Sequence, residues 1–309
     1  MSKAGSGMAT HPDSAQGESA AVCRVCGTGV GVLKGEEVWP FGSVLYRLAE
    51  CPSCGCAFTV PLPTDRVLRD LYAKMFDYRW YRDHLRAKMR DAAARYAEYR
   101  PLLGASVLDF GGGLGYFSAI CRARGHVSVT LDAYAPHGGL APGSKFDTVV
   151  ALHVLEHAND IDGLILQMRA FLKPGGNLII AVPNYRSAGY RERGMRWVWA
   201  QPPLIHIYHF TAEGLAALLR RRGFRRLEIS YHERWDANRH CDLERAEEFA
   251  AWDGMWARRP HNRFTVYRRF VAWRNARRRF RGLASAARAS DAADASLSEL
   301  QITAQWDAD

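Results

Sequence analysis

Four cysteines are the first residues whose type and spacing suggest chemistry: Cys23 and Cys26, then Cys51 and Cys54, in the pattern CxxC-x24-CxxC. Two thiolates in a tight knuckle share one tetrahedral ion, and a second knuckle completes its ligands, so the pattern predicts a zinc site. Four thiolates leave no open position, which makes such a zinc structural. Gly27 and Gly55 directly follow the two pairs, as knuckle turns require, while Cys56 reads as a small buried residue.

A second set lies in Val107-Leu108-Asp109-Phe110-Gly111-Gly112-Gly113-Leu114-Gly115, where a predicted strand turns into a helix. Glycines there let the backbone approach a ligand closely. A carboxylate beside the loop would repel a diphosphate. Asp109 instead suits a ligand bearing an ammonium group, such as the methionine part of S-adenosylmethionine. Asp132 ends the next strand, where an acid accepts hydrogen bonds from ribose hydroxyls. A tight structural turn in some other α/β protein is the alternative.

The third set is His153, Glu156 and His157 after another apolar run, with His206 and His209 further on. Histidine is the natural base near neutral pH, and Glu156 could orient it. The same groups could hold a divalent metal, or simply fix the loop. Phe76, Tyr78, Trp80 and Tyr81 read either as core or as a lid.

The elements that must position these groups follow from apolar periodicity. Residues 64–99 contain no Pro or Gly and read as helix in two pieces, with Thr64-Asp65 at the start. Strands are predicted over 105–110, 126–131, 146–152, 177–182, 224–231 and 299–306. Helices are predicted over 116–124, 161–172 and 211–222, with Lys173-Pro174-Gly175-Gly176 as a break. Short crossovers between strands imply an α/β, Rossmann-like, mostly parallel sheet with helices on both faces. The expected organisation is a disordered tail (1–21), a zinc-binding ribbon (22–60), a helical linker or lid (61–100) and a catalytic domain (101–309).

Over residues 101–232 these motifs together resemble the class I S-adenosylmethionine-dependent methyltransferases. The loop at 109–115 is similar to that family's first motif. Phe146 to His157 resembles its fourth strand and following loop, and Leu172 to Gly176 the turn before its fifth strand. Val182-Pro183-Asn184, His206 to Thr211 and Gly223-Phe224 also match. The resemblance implies that Asp109, Gly111, Gly113, Gly115 and Asp132 bind the cofactor, with Leu152 and His153 lining the site. The ribbon in front is similar to that of bacterial enzymes acting on sugars, glycans and secondary metabolites. Some quinone O-methyltransferases resemble the 153–157 loop and carry acids there. The chain departs from the family between Asp132 and Asp147, where a helix, a third strand and another helix are usual. A short edge strand, or none, is expected there.

Of 309 residues 48% are hydrophobic, which suits a globular core, and the net charge is +10. Ten arginines and no acid lie between Arg258 and Arg281, so the excess charge is local. Aromatics interleave with them at helical spacing, giving a basic helical insertion over about 258–282. It could meet an anionic membrane surface, bind RNA phosphates, or lie solvated on the domain. No signal peptide or membrane span is visible, so the cytoplasm is expected, with peripheral membrane attachment as a variant. The reading is a methyltransferase for a small-molecule, sugar or glycan-type acceptor, lipid-linked acceptors included. An RNA methyltransferase and a non-catalytic cofactor-binding scaffold are the alternatives. The sequence does not fix the oligomeric state.

Overall fold

The computed structural model describes residues 22–34, 39–41, 44–75, 85–133, 140–197, 199–200, 204–234 and 294–307. The tail, the aromatics at 76–81 and the arginine segment 258–281 lie outside the described residues.

The main sheet has six strands: β5 (Ser106–Phe110), β6 (Val127–Leu131), β7 (Phe146–Leu152), β8 (Leu172–Pro183), β10 (Arg225–His232) and β11 (Glu299–Trp306). Their order is β10-β11-β8-β7-β5-β6. The four strands from β6 to β8 run parallel, and β11 and β10 are antiparallel. This α/β, mostly parallel architecture is the expected one. Among the described residues no strand pairs with the outer side of β6, in keeping with the short 133–146 segment. The predicted break at Lys173 to Gly176 is instead part of β8. Leu172 already pairs with Phe146, and a register shift before Thr148 absorbs the turn residues.

Alternate residues of the inner strands enter opposite layers. Leu108, Val149, Ile180 and Leu300 pack against α4 (Ile161–Ala170) and α6 (Ala212–Arg221). Val107, Val150 and Ile179 pack on the other face, against α2 (Leu85–Tyr99) and α3 (Tyr116–Ala123). Each such wholly buried aliphatic side chain stabilises the fold by roughly 1.5–3 kcal/mol. Asp160 and Thr211 cap α4 and α6 by accepting from Gly163 N and Gly214 N. The helix α1 (Asp65–Met75) begins at Thr64, whose hydroxyl accepts from Val67 N.

The cysteine module contributes β1 (Val32–Leu33), β2 (Trp39–Phe41), β3 (Val44–Glu50) and β4 (Ala57–Val60). Its sheet also takes in β9 (Tyr208–His209), which pairs with β4 from far along the chain. Thr211 seals the join: its hydroxyl donates to Cys54 O at 2.6 Å, and its N–H points at Cys56 Sγ. The module and the catalytic sheet therefore share one core.

Candidate active site

The glycine loop leaves β5 at the carboxyl edge of the sheet. Asp109, 2% exposed, accepts from Ser118 N in the first turn of α3 and so ties the loop to the helix. Any Cβ at Gly112 would lie 2.3 Å from that carboxylate. At Gly113 φ is +56°, and a Cβ there would meet nothing within 4 Å, so the loop opens to space at this residue. Its N–H donates to Asp132 Oδ2 at 2.8 Å, which brings the end of β6 to the loop. An open glycine backbone beside a partly exposed carboxylate fits a cofactor carrying ribose hydroxyls and an amino acid moiety.

After β7 the chain turns at His153, whose φ of +55° is a conformation side chains resist by about 1–2 kcal/mol. Both ring nitrogens hold it there: Nδ1 lies 3.2 Å from Glu156 Oε1 and Nε2 lies 3.0 Å from Glu299 Oε2. Burial opposes a charge on this ring, but the bonds to Glu156 and Glu299 outweigh it and raise its pKa to about 9. His153 is thus an imidazolium clamped between two carboxylates. Burial would raise the Glu299 carboxyl, yet Arg95, His153 and Arg234 hold it well below the usual range. Arg95 meets Glu299 at 2.7 Å and donates to Tyr99 Oη at 3.1 Å.

Neither Arg95 nor Glu299 was expected at the site. Along β11 the apolar Leu300, Ile302 and Ala304 alternate with polar residues, which puts Glu299 on the opposite face. That face is covered by α2, and Glu299 is fully buried. The available signal was the single arginine at position 95 on what became the inner side of α2.

Glu156, His157 and His206 converge, with one ligand atom from each inside a 4.8 Å group. His157 Nδ1 donates to Ile205 O at 2.7 Å, and His206 Nδ1 to Trp199 O at 3.0 Å. A carbonyl only accepts, so in each neutral ring Nε2 carries the lone pair. The rings meet edge to face at 4.7 Å. Glu156 is 1% exposed, and its Oε2 has no hydrogen-bond partner among the described residues. His209 stands apart: its ring is 6.3 Å beyond His206 and 5% exposed, and burial, then Lys34, lower its pKa to about 3. The β9 segment also reaches the loop through its backbone, since Ile207 N donates to Glu156 O at 2.6 Å.

The four predicted cysteines also converge. Cys23 Sγ and Cys54 Sγ are 3.8 Å apart, and Cys26 Sγ and Cys51 Sγ 3.6 Å. Tetrahedral zinc with bonds of about 2.3 Å needs sulfurs about 3.8 Å apart, so the group fits that ion.

Comparison with known proteins agrees with this geometry. A family described as a methyltransferase domain matches residues 81–229. The ubiquinone biosynthesis O-methyltransferases of Brucella ovis and Brucella suis are each 26% identical over 181 residues, covering 47% of this chain and 72% of theirs. Among solved structures, a SAM-dependent methyltransferase from Archaeoglobus fulgidus is similar at 17% identity and a TM-score of 0.42, covering 74% of this chain and 100% of that one. The 1,6-didemethyltoxoflavin-N1-methyltransferase of Burkholderia thailandensis has 17% identity and a TM-score of 0.43, with 88% and 100% covered. The chain is an S-adenosylmethionine-dependent methyltransferase with a class I catalytic domain behind a four-cysteine cluster. The family implies a small-molecule methyl acceptor. No helix among the described residues is long and apolar enough to cross a membrane.

Proposed function

We propose that the protein methylates an oxygen, nitrogen or carbon atom of a sugar, glycan-type or other small acceptor, with His157 as the base. The observation that carries this is the tautomer of His157. Its Nδ1 is committed to Ile205 O, which leaves the basic nitrogen beside Glu156 at the carboxyl edge. In this reading Gly111, Gly113 and Gly115 give the cofactor its backbone cradle, and Asp109 fixes the loop and presents negative charge toward the ammonium group. Asp132 receives the ribose hydroxyls, while Leu152 and His153 form the wall. The cofactor supplies an electrophilic methyl group. The protein aligns the acceptor and takes the proton that the acceptor loses. Zinc on Cys23, Cys26, Cys51 and Cys54 holds the knuckles whose strand β4 carries β9, and with it His206.

A second reading is favoured by the unpaired Glu156 Oε2. A divalent ion on Glu156, His157 and His206 would lower the pKa of an acceptor hydroxyl without a protein base. The test is cofactor turnover against pooled nucleotide sugars, phenols, lipid extracts and RNA, with and without added magnesium or manganese. Turnover with a sugar or small molecule, unchanged by added ion, supports His157 as base. A saturable rise with ion that His206→Gln abolishes supports the metal. Turnover only with RNA, or none with any acceptor, sinks the proposal.

A further inference from the structure

A cavity of about 360 Å³ opens where the cysteine module meets the segment after β8. That volume lies within the roughly 300–1,000 Å³ of small-molecule sites. Lys34 and Glu50 come from the module. Tyr185 and Arg186 follow β8, and Tyr190 and Arg191 lie in α5 (Ala188–Arg193).

The floor is saturated with its own hydrogen bonds. Lys34 Nζ donates to Glu50 Oε2 at 2.5 Å and to Tyr185 Oη at 3.1 Å. Tyr190 Oη donates to Tyr185 Oη, which donates on to Glu50. Lys34 also lies over both tyrosine rings, 5.1 and 5.4 Å from their centres. The one lining carboxylate is thus matched by Lys34, and Arg186 and Arg191 complete the charged lining. Among the described residues Arg186 forms an ion pair with Glu213, at 3.7 Å and more than half exposed, which constrains it little. Its guanidinium lies against the second knuckle, where a Cβ on Gly55 would come within 2.5 Å of Nη2. The lining itself holds three cations to one anion, with Glu213 beside Arg186 and Asp294 near Arg191 just outside it.

The cavity is on the methyl-transfer edge of the sheet. The Tyr185 ring lies tilted 5.4 Å from His209, which is 6.3 Å from His206, which is 4.7 Å from His157.

We infer that this cavity binds a phosphate or diphosphate group of the acceptor, with Arg186 and Arg191 as the recognising side chains. The planar guanidinium donors match phosphate oxygens in pairs. The inference rests on the proposed sugar or glycan acceptor and names the handle by which it is held.

The probe is inorganic pyrophosphate, titrated calorimetrically into the full chain. Saturable binding is expected, weakening as salt rises. Arg186→Gln and Arg191→Gln should each lower affinity about tenfold, while S-adenosylmethionine affinity and metal content stay unchanged. Both arginines are exposed, so these variants keep the fold. Competition by a nucleotide sugar or by a polyprenyl diphosphate sugar then identifies the source of the group. Absence of saturable binding at millimolar pyrophosphate, or equal binding by the double variant, overturns the inference. Because this readout needs no turnover, its failure is distinct from failure of the methyl-transfer proposal.

Discussion

Glu299 Oε2 lies 3.0 Å from His153 Nε2, joining β11 to the loop that follows the middle of the sheet. This contact connects the stability of the core to the shape of the active-site loop. Glu299 also takes Arg95 and Arg234, so one carboxylate joins three cationic groups that Glu156, Asp91 and Glu98 also meet.

Glu299→Gln should therefore destabilise the protein by about 3–5 kcal/mol, the usual scale when one member of a buried ion pair is removed. The His153 pKa should fall from about 9 toward the ordinary histidine value. Denaturant unfolding and a histidine titration by NMR check both parts. An unchanged His153 titration would show that Glu299 does not set its charge.

The same residue fixes the direction of the alkaline response. The folded pKa of His153 is raised from 6.5 to about 9, so its stabilisation is complete below the lower value and is lost as pH rises through the upper one. His209 acts oppositely. Its folded pKa is lowered from 6.5 to about 3, so stability falls as pH drops below 6.5. Melting temperature should peak near neutrality, and His153→Gln should flatten the alkaline limb. A wild-type curve still climbing beyond pH 9 would contradict the clamp.

Asp132→Ala should weaken S-adenosylmethionine binding roughly ten- to hundredfold, since a hydrogen bond to a charged acceptor contributes about 1.5–3 kcal/mol. Part of the loss would be indirect, because Gly113 N–H loses its acceptor. Calorimetry reads this directly, and wild-type affinity would remove Asp132 from the site.

His157→Gln should reduce turnover about 10²-fold or more while cofactor affinity barely moves. Pre-steady-state rates across pH separate the roles. A base requires the wild-type rate to rise with histidine deprotonation and the variant to lack that limb.

Cys51→Ser should lower zinc content and also slow methyl transfer, because β4 pairs with β9 and β9 is bonded to the Glu156 loop. Metal analysis and turnover on the same sample test the link. Full activity in a metal-depleted variant would uncouple the module from the site.

The sequence made much of this legible. Glycine and acid spacing marks the loop that opens at Gly113, and β11 has the expected bounds, Glu299–Trp306. Local pattern carries such features because each depends on one segment. The convergence of Arg95 with Glu299 depends on α2 covering a strand some two hundred residues away, which periodicity does not encode. His206 and His209 looked equivalent in sequence. The structure separates them because β9 alternates: one ring joins His157 and the next residues build the sheet of the cysteine module.

The placement of β11 between β10 and β8 also bears on how the chain reaches this state. Residues 233–298 intervene between β10 and β11, its one partner strand among the described residues. During synthesis the pairing of β10 with β11 must wait until those residues have been made, and Arg95 and His153 wait as long for Glu299. Such distant pairing slows folding and prolongs exposure of the open edge of β8. The antiparallel end of the sheet, β11 together with the rim strand β10, is then the last part to form.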